Sequence, residues 1–512
     1  MASWEDIVAK KQAALTAKIP DNWRLPEGFS AAPKTPQSPN LNITTGHFFL
    51  EALPGPARLS PQEYAITCET SIPAIQAKYR SHQWTAEELV TAFCHRAAIS
   101  HQMTRSLAEI RFNEAIKEAK FQDDYLKTHN RLVGPFHGIP ISVKDAFRVE
   151  GLETAAGHVG WAGKIETAET ESLLVQQVKT LGGIIIAKAF NNLFGLKPSH
   201  GRFSYKNLAR TLAGKPVVPA VAGPMSTSVE NLIHVAKAMI QTEGWGSDPA
   251  LINMPWRSAI LDDVRDRSAS GGLCFAALPH DGVVRPHPTV ARGVEIAIDA
   301  VQQAGHQVIE WNPPSHLAAA QIYAGTVFAT VYDIFDALKL SGEPMTKGVQ
   351  RTIGMAVAPE NMSLKEYYEL LLKLDRFQQE YAVYWESTTS LTGTSRPVDG
   401  IITPVASTAA VRHDSFYAYN YTIVWNVLDY SAVTVPVTFA DKNVDVAESY
   451  PRPLNDIDKF NWKAYDAEIY HGAPIGVQVV GRRHEEEKVL ALGEVVSNAL
   501  GSARNRGRNS KI

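Results

Sequence analysis

The sequence predicts an α/β protein, on two observations. Helix-like and strand-like apolar spacings alternate along the whole chain, and Ser172 to Ala187 passes from a helical pattern through Gly182-Gly183 into the short apolar run Ile184-Ile185-Ile186. A brief, continuously apolar strand fed by a helix is the pattern of an element buried on both faces, so a strand entering a largely parallel sheet is expected. With 512 residues, 45% of them hydrophobic and 20% charged, the chain can bury a large core and has an ordinary globular composition. No internal repeat and no linker-like stretch divides it, which favours one large domain.

The elements follow in order. The opening MASWEDIVAKKQAAL is charged and amphipathic, without the apolar core of a signal peptide. Ile19 to Asn42 is rich in proline and polar residues and reads as an extended arm on the surface. Residues 1–65 are thus expected as an arm and helix packing on the core, 66–500 as the main domain, and 501–512 as a basic, disordered tail. A threonine at the N-cap and helical spacing place a helix over Thr85–Gln102. A strand over Leu107–Phe112, a helix over Asn113–Thr128 and a strand over Ile139–Val143 follow. Next come the helix Ser172–Leu181, the strand Gly183–Ala187 and the helix Val229–Ile240. Strands Leu273–Leu278 and Gln307–Glu310 flank a helix over Thr289–Gln303, and long helical patterns cover Leu317–Leu340 and Leu364–Thr388. A last strand, Pro474–Val480, leads into a last helix, His484–Leu500.

Composition narrows the function classes. A net charge of −3 and a pI near 6.6 carry no footprint of nucleic-acid binding. Cys68, Cys94 and Cys274 are scattered and odd in number, which argues for a reducing compartment and against a disulfide framework. No apolar run of about 18 residues occurs, so no membrane span is expected, and a cytoplasmic location is preferred. The closing Ser510-Lys511-Ile512 is one residue away from a peroxisomal address, which makes that compartment the alternative.

The residues with chemistry are few. Lys144 follows the apolar positions Ile139, Ile141 and Val143, and Gly138 and Pro140 fix the backbone before it. A lysine at a strand end is commonly a solvated loop entry. To act as a base it must be neutral, which desolvation favours, and Ser-Lys pairs are a known variant of serine catalysis. Ser268-Ala269-Ser270-Gly271-Gly272 reads as a polar turn, Ser199-His200 as a weak signal, and Ser226 and Ser228 as the N-cap region of the following helix. His484-Glu485-Glu486 begins like a zinc-protease helix, but Lys488 stands where the second histidine belongs, and the glutamates suit a helix first turn. Gly46–Phe49 and the pair His280 and His287 have no ligand spacing, and no phosphate-binding glycine motif occurs; neither metal nor cofactor is expected.

The segment GPFHGIPISVKD, Gly134 to Asp145, resembles the catalytic-lysine strand of the amidase signature family, with Lys144 in the place of the base. FCHRAAISHQ (Phe93 to Gln102) resembles a helix of its fungal acetamidase-like members. LKPSHGRFSY (Leu196 to Tyr205), VAGPMSTSVENL (Val221 to Leu232), TIVWNVLDYSAVTVPV (Thr422 to Val437) and GAPIGVQVVGRRHEEEKVL (Gly472 to Leu490) resemble later segments in the family's order. On these the chain is identified as a member of that family. The resemblance implies a central mixed β-sheet covered by helices on both faces. It implies hydrolysis of a small-molecule carboxamide to acid and ammonia by Ser-Ser-Lys chemistry. A serine attacks, a second serine in a cis peptide relays its proton to the lysine, and glycine-rich backbone N–H groups hold the oxyanion. An amide carbonyl is a poor electrophile, so the nucleophile needs a base and the oxyanion needs fixed donors. The expelled amine needs the proton back.

Lys144 alone carries over. The family's Gly-Ser-rich loop would fall between GGIIIAKAFNNLFG (Gly182 to Gly195) and LKPSHGRFSY, and no such string lies there. Both serines are therefore expected to be absent, and the fold to be perturbed by an internal deletion. Three readings follow: an amidase whose full coding sequence contains the loop, a non-catalytic descendant binding a ligand or partner in the former cleft, and an unstable product. A homodimer is compatible with each.

Overall fold

A computed structural model of the chain describes residues 3–26, 57–189, 194–210, 217–327, 332–354, 362–411, 418–447 and 452–509. Its strands form two sheets. β1 (Leu107–Ile110), β2 (Pro140–Val143) and β3 (Ile184–Ala189) lie in the order β1-β3-β2. β3 runs parallel to β2, with Val143 opposite Lys188, and antiparallel to β1. β4 (Phe194–Lys197), β5 (Met225–Ser226), β6 (Cys274–Ala277), β7 (Gln307–Glu310), β8 (Gly400–Pro404), β9 (Ala432–Phe439) and β10 (Pro474–Val480) form a seven-stranded sheet ordered β5-β4-β9-β10-β8-β6-β7.

The expectation of a largely parallel sheet is corrected. β7, β6 and β8 are mutually parallel, whereas β8, β10, β9, β4 and β5 alternate in direction. The helix Pro288–Gln303 between β6 and β7 supplies the crossover that parallel neighbours require. The fold class, α/β with mixed sheets, stands.

Both faces of the larger sheet are covered, and the two-residue strand period sorts the side chains. Phe275, Ile402, Val433 and Val479 join a core with the helices Pro288–Gln303 and Glu486–Asn509. Their neighbours Ala276, Ile401, Ala432 and Val480 join an aromatic core with Trp311, Tyr381, Trp385, Trp425 and Tyr430 on the other side. Pro436 sits inside β9 opposite Gly476 of β10; among the described residues β4 pairs with β9 from Ala432 to Thr434 and does not flank the proline.

Helix expectations hold with shifted ends. Thr85 caps Ala86–Thr104 in a reciprocal box with Glu88, and Ser228 caps Val229–Ile240. Within the pattern over Leu317–Leu340, the described residues are helical over His316–Val327 and Tyr332–Ser341. The last helix, Glu486–Asn509, continues through the stretch expected to begin a tail, while Ser510-Lys511-Ile512 lie outside the described residues. The start of the expected surface arm is instead tucked in: Ile19 and Trp23 are buried in the first core, Trp23 with its ring against Phe112, and 27–42 lie outside the described residues. The amphipathic N terminus is the helix Trp4–Ala17, capped by Ser3.

Candidate active site

The strand ending at Lys144 is aimed by a tightly held loop. Gly138 has φ +67°, and a Cβ there would stand 2.6 Å from the Tyr79 hydroxyl oxygen. That hydroxyl donates to the Gly138 carbonyl at 3.1 Å. Gln122 accepts from Gly138 N–H at 2.7 Å and donates to the Gly182 carbonyl at 3.0 Å. One side-chain amide thus joins the entry of β2 to the entry of β3. Phe136 and His137 are buried between them, and burial, with Arg80 nearby, pulls the His137 imidazole down to about 4.

Lys144 itself emerges into solvent at the end of β2; its carbonyl accepts from Phe147 N–H at 2.9 Å. The buried lysine is its neighbour across the sheet. Lys188 is 0% exposed and donates to Asp145 Oδ1 at 2.9 Å, Thr154 Oγ1 at 2.9 Å and the Glu153 carbonyl at 2.7 Å. Burial lowers its pKa, and the Asp145 carboxylate beside it opposes that shift. Sequence reasoning passed over Lys188, although a lysine inside an otherwise apolar strand, IIIAKA, signals a buried cation that must have a partner.

The other serines singled out have structural partners. Ser199 is buried, shares a 3.0 Å hydrogen bond with Ser431 Oγ and accepts from His484 N–H at 2.7 Å, while Ser199 N–H donates to Glu486 at 2.8 Å. His200 N–H donates to Asp429 at 2.8 Å. Ser268 to Gly272 closes the helix Ser258–Ala269: Gly271 has φ +70° and Gly272 N–H donates back to the Arg267 carbonyl at 2.8 Å. Ser226 ends β5, and Ser228 Oγ accepts from Asn231 N–H.

Glu486 and Glu487 do open a helix, but not a solvated one. Both are fully buried; Arg202 reaches Glu486 and Glu487 at 3.1 Å each, and Arg257 reaches Glu487 at 2.6 Å. The arginines come from distant segments, so no local signal marked the glutamates as buried. Lys197, ending β4 in the same neighbourhood, donates to the Tyr430 carbonyl at 2.7 Å, and burial pulls it down to about 8 against the attraction of Asp429 and Glu486. His287 is buried with Nε2 2.7 Å from the Asn461 carbonyl, His280 accepts from Gly282 N–H, and Gly46–Phe49 lie outside the described residues. Among the described residues no group of three or more His, Cys, Asp or Glu side chains is arranged to hold a metal ion. No helix among them is long and apolar enough to cross a membrane.

This fold is that of the amidase-signature enzymes. Fatty acid amide hydrolase superposes with a TM-score of 0.85 at 24% identity, over 97% of this chain and 95% of that one. The chain belongs to the Amidase family, whose sequence profile matches residues 88–189 and 188–490. It is 32% identical to an acetamidase of Aspergillus oryzae and 33% identical to an acetamidase of Emericella nidulans, in each case over 98% of this chain and 99% of the relative.

Proposed function

We propose that this chain is an amidase-family scaffold for small carboxamides that retains the lysine of the Ser-Ser-Lys machinery and lacks both serines, so that the 512-residue chain hydrolyses amides little or not at all. One observation carries this reading. Between β3 and β4, the chain passes from one sheet to the other through Phe190-Asn191-Asn192-Leu193, four residues without a serine or a glycine. The two stretches matched by the family profile meet at that passage, which supports the same reading. The Lys144 side chain is exposed at the end of β2. The preference for a small carboxamide is drawn from the acetamidase relatives.

The test is ammonia release from acetamide, propionamide and benzamide by the purified 512-residue chain, beside the Emericella nidulans acetamidase. Loss of the nucleophile of a serine-based site lowers turnover by about 10⁶, so the expected signal is background and Lys144→Ala does not change it. Turnover that Lys144→Ala abolishes would overturn the reading. The transcript across Phe190 to Pro198 bears on it independently: an in-frame Gly-Ser-rich insert there makes the full-length product an ordinary amidase.

A further inference from the structure

We propose that Lys188 is a positioning residue for Lys144: its buried ammonium neutralises and anchors Asp145, and so fixes the strand end from which Lys144 emerges. The proposal rests on Lys144 being the family's base and concerns how that base is held. Lys188 and Val143 are opposite each other in the β2–β3 register, so the Lys188 side chain starts beside the strand end it serves. Its three acceptors, Asp145 Oδ1, Thr154 Oγ1 and the Glu153 carbonyl, match the three protons of an ammonium. Asp145 directly follows Lys144 and is 4% exposed.

The anchor has a second tether. The Glu153 carboxylate accepts from Lys11 at 2.9 Å and from Gly163 N–H at 2.9 Å. Lys11 also pairs with Glu109 of β1, and Lys18 reaches that same Glu109 carboxylate at 3.2 Å. The N-terminal helix Trp4–Ala17 and the residue after it thereby hold from outside the loop that Lys188 holds from within. The electrostatic consequence is directional. An unpaired Asp145 carboxylate next to Lys144 would hold the Lys144 amine charged, and Lys188 cancels that carboxylate. An unpaired Lys188 would do the reverse.

The test is site-resolved acylation of the full chain by an amine-reactive acetyl ester in mildly alkaline buffer, with Lys144 read by peptide mass spectrometry. Lys365, 86% exposed on the helix Leu364–Ser387, is the internal control. One unit charge several ångströms away, largely solvent-screened, is worth about a threefold change in free amine. Lys188→Met is expected to slow Lys144 labelling about threefold and Asp145→Asn to speed it about threefold, with the double variant near wild type and Lys188→Arg close to it as well. Lys365 stays constant throughout. Hydrogen exchange over 140–156 is expected to rise in Lys188→Met and not over Ala432–Phe439. If Lys188→Met unfolds the chain, exchange rises everywhere, Ala432–Phe439 included, and Lys188→Arg with Asp145→Asn decide the question. Unchanged Lys144 labelling, or a shift of the same sign in Lys188→Met and Asp145→Asn, would overturn the proposal. Neither readout needs turnover, so failure here is separate from failure of the hydrolysis test.

Discussion

Buried histidines set how this protein responds to mild acid. Burial pulls His287 and His316 down to about 4, as it does His137. In the unfolded chain each titrates near 6.5. Between those values the unfolded state binds protons that the folded state refuses, so the stability these groups contribute is present above about pH 6.5 and is lost as pH falls toward 4. Each histidine steepens the loss by at most about 1.4 kcal/mol per pH unit. Urea midpoints should fall progressively as pH is stepped from neutral toward 5. His316→Phe, which keeps a ring against Tyr381 and Trp425, should flatten that fall. A slope unchanged by the substitution would show that His316 is not held neutral. The buried carboxylates make a second test at this scale. Glu487→Ala removes one of the two carboxylates on Arg202, which keeps Glu486, and the Glu487 partner of the partly exposed Arg257; losing hydrogen bonds to charged groups costs about 1.5–3 kcal/mol. A change under about 1 kcal/mol in urea unfolding would mean that water reaches those guanidinium groups.

Elements show why some of this architecture was legible and some was not. Ala86–Thr104 and Val229–Ile240 announce themselves because cap, spacing and terminus agree, and β3 because both of its faces are buried and its run is unbroken. β9 is harder to read because Pro436 interrupts it, and among the described residues no β4 partner flanks the proline beyond Thr434. The antiparallel half of the large sheet depends on pairings between segments far apart in sequence, such as β4 with β9, which no local pattern encodes. The candidate site divides likewise. Lys144 could be named from its segment, whereas its exposure and the buried Lys188–Asp145 pair follow from packing between strands. Gly138 tests the element that aims Lys144. Its positive φ, and the Tyr79 hydroxyl 2.6 Å from where a Cβ would stand, exclude a side chain. Gly138→Ala should cost about 1–3 kcal/mol or more, read by thermal or urea unfolding, and should raise exchange at the start of β2. Wild-type stability in that variant would show that the loop can shift to admit a Cβ.

At the scale of the molecule the question is whether two sheets make one folding unit. The connection between them is four residues long, and the β2 edge of the smaller sheet has no strand beyond it among the described residues. What joins them is side-chain packing. Ile184, Ile185 and Ala187 of β3 lie in the same contiguous core as Leu232 and Met239 of Val229–Ile240, Val433 and Val435 of β9, Val477 and Val479 of β10, and Val489, Leu492 and Val496 of the last helix. Cooperativity follows the continuity of the core more than the continuity of hydrogen-bonded sheet, because exposing one half of a shared apolar surface destabilises the other. The expected behaviour is a single transition. Tryptophans sample both regions, Trp23 near the small sheet and Trp311, Trp385 and Trp425 in the aromatic core, so fluorescence and far-UV circular dichroism should trace one urea curve. Separate midpoints, with the 107–189 region exchanging its amides first, would mean that the short passage leaves the small sheet too weakly joined. Aggregation before either transition would favour the unstable-product reading over the binding one. A single reversible transition would leave a folded scaffold with Lys144 exposed, the state in which the hydrolysis measurement is to be read.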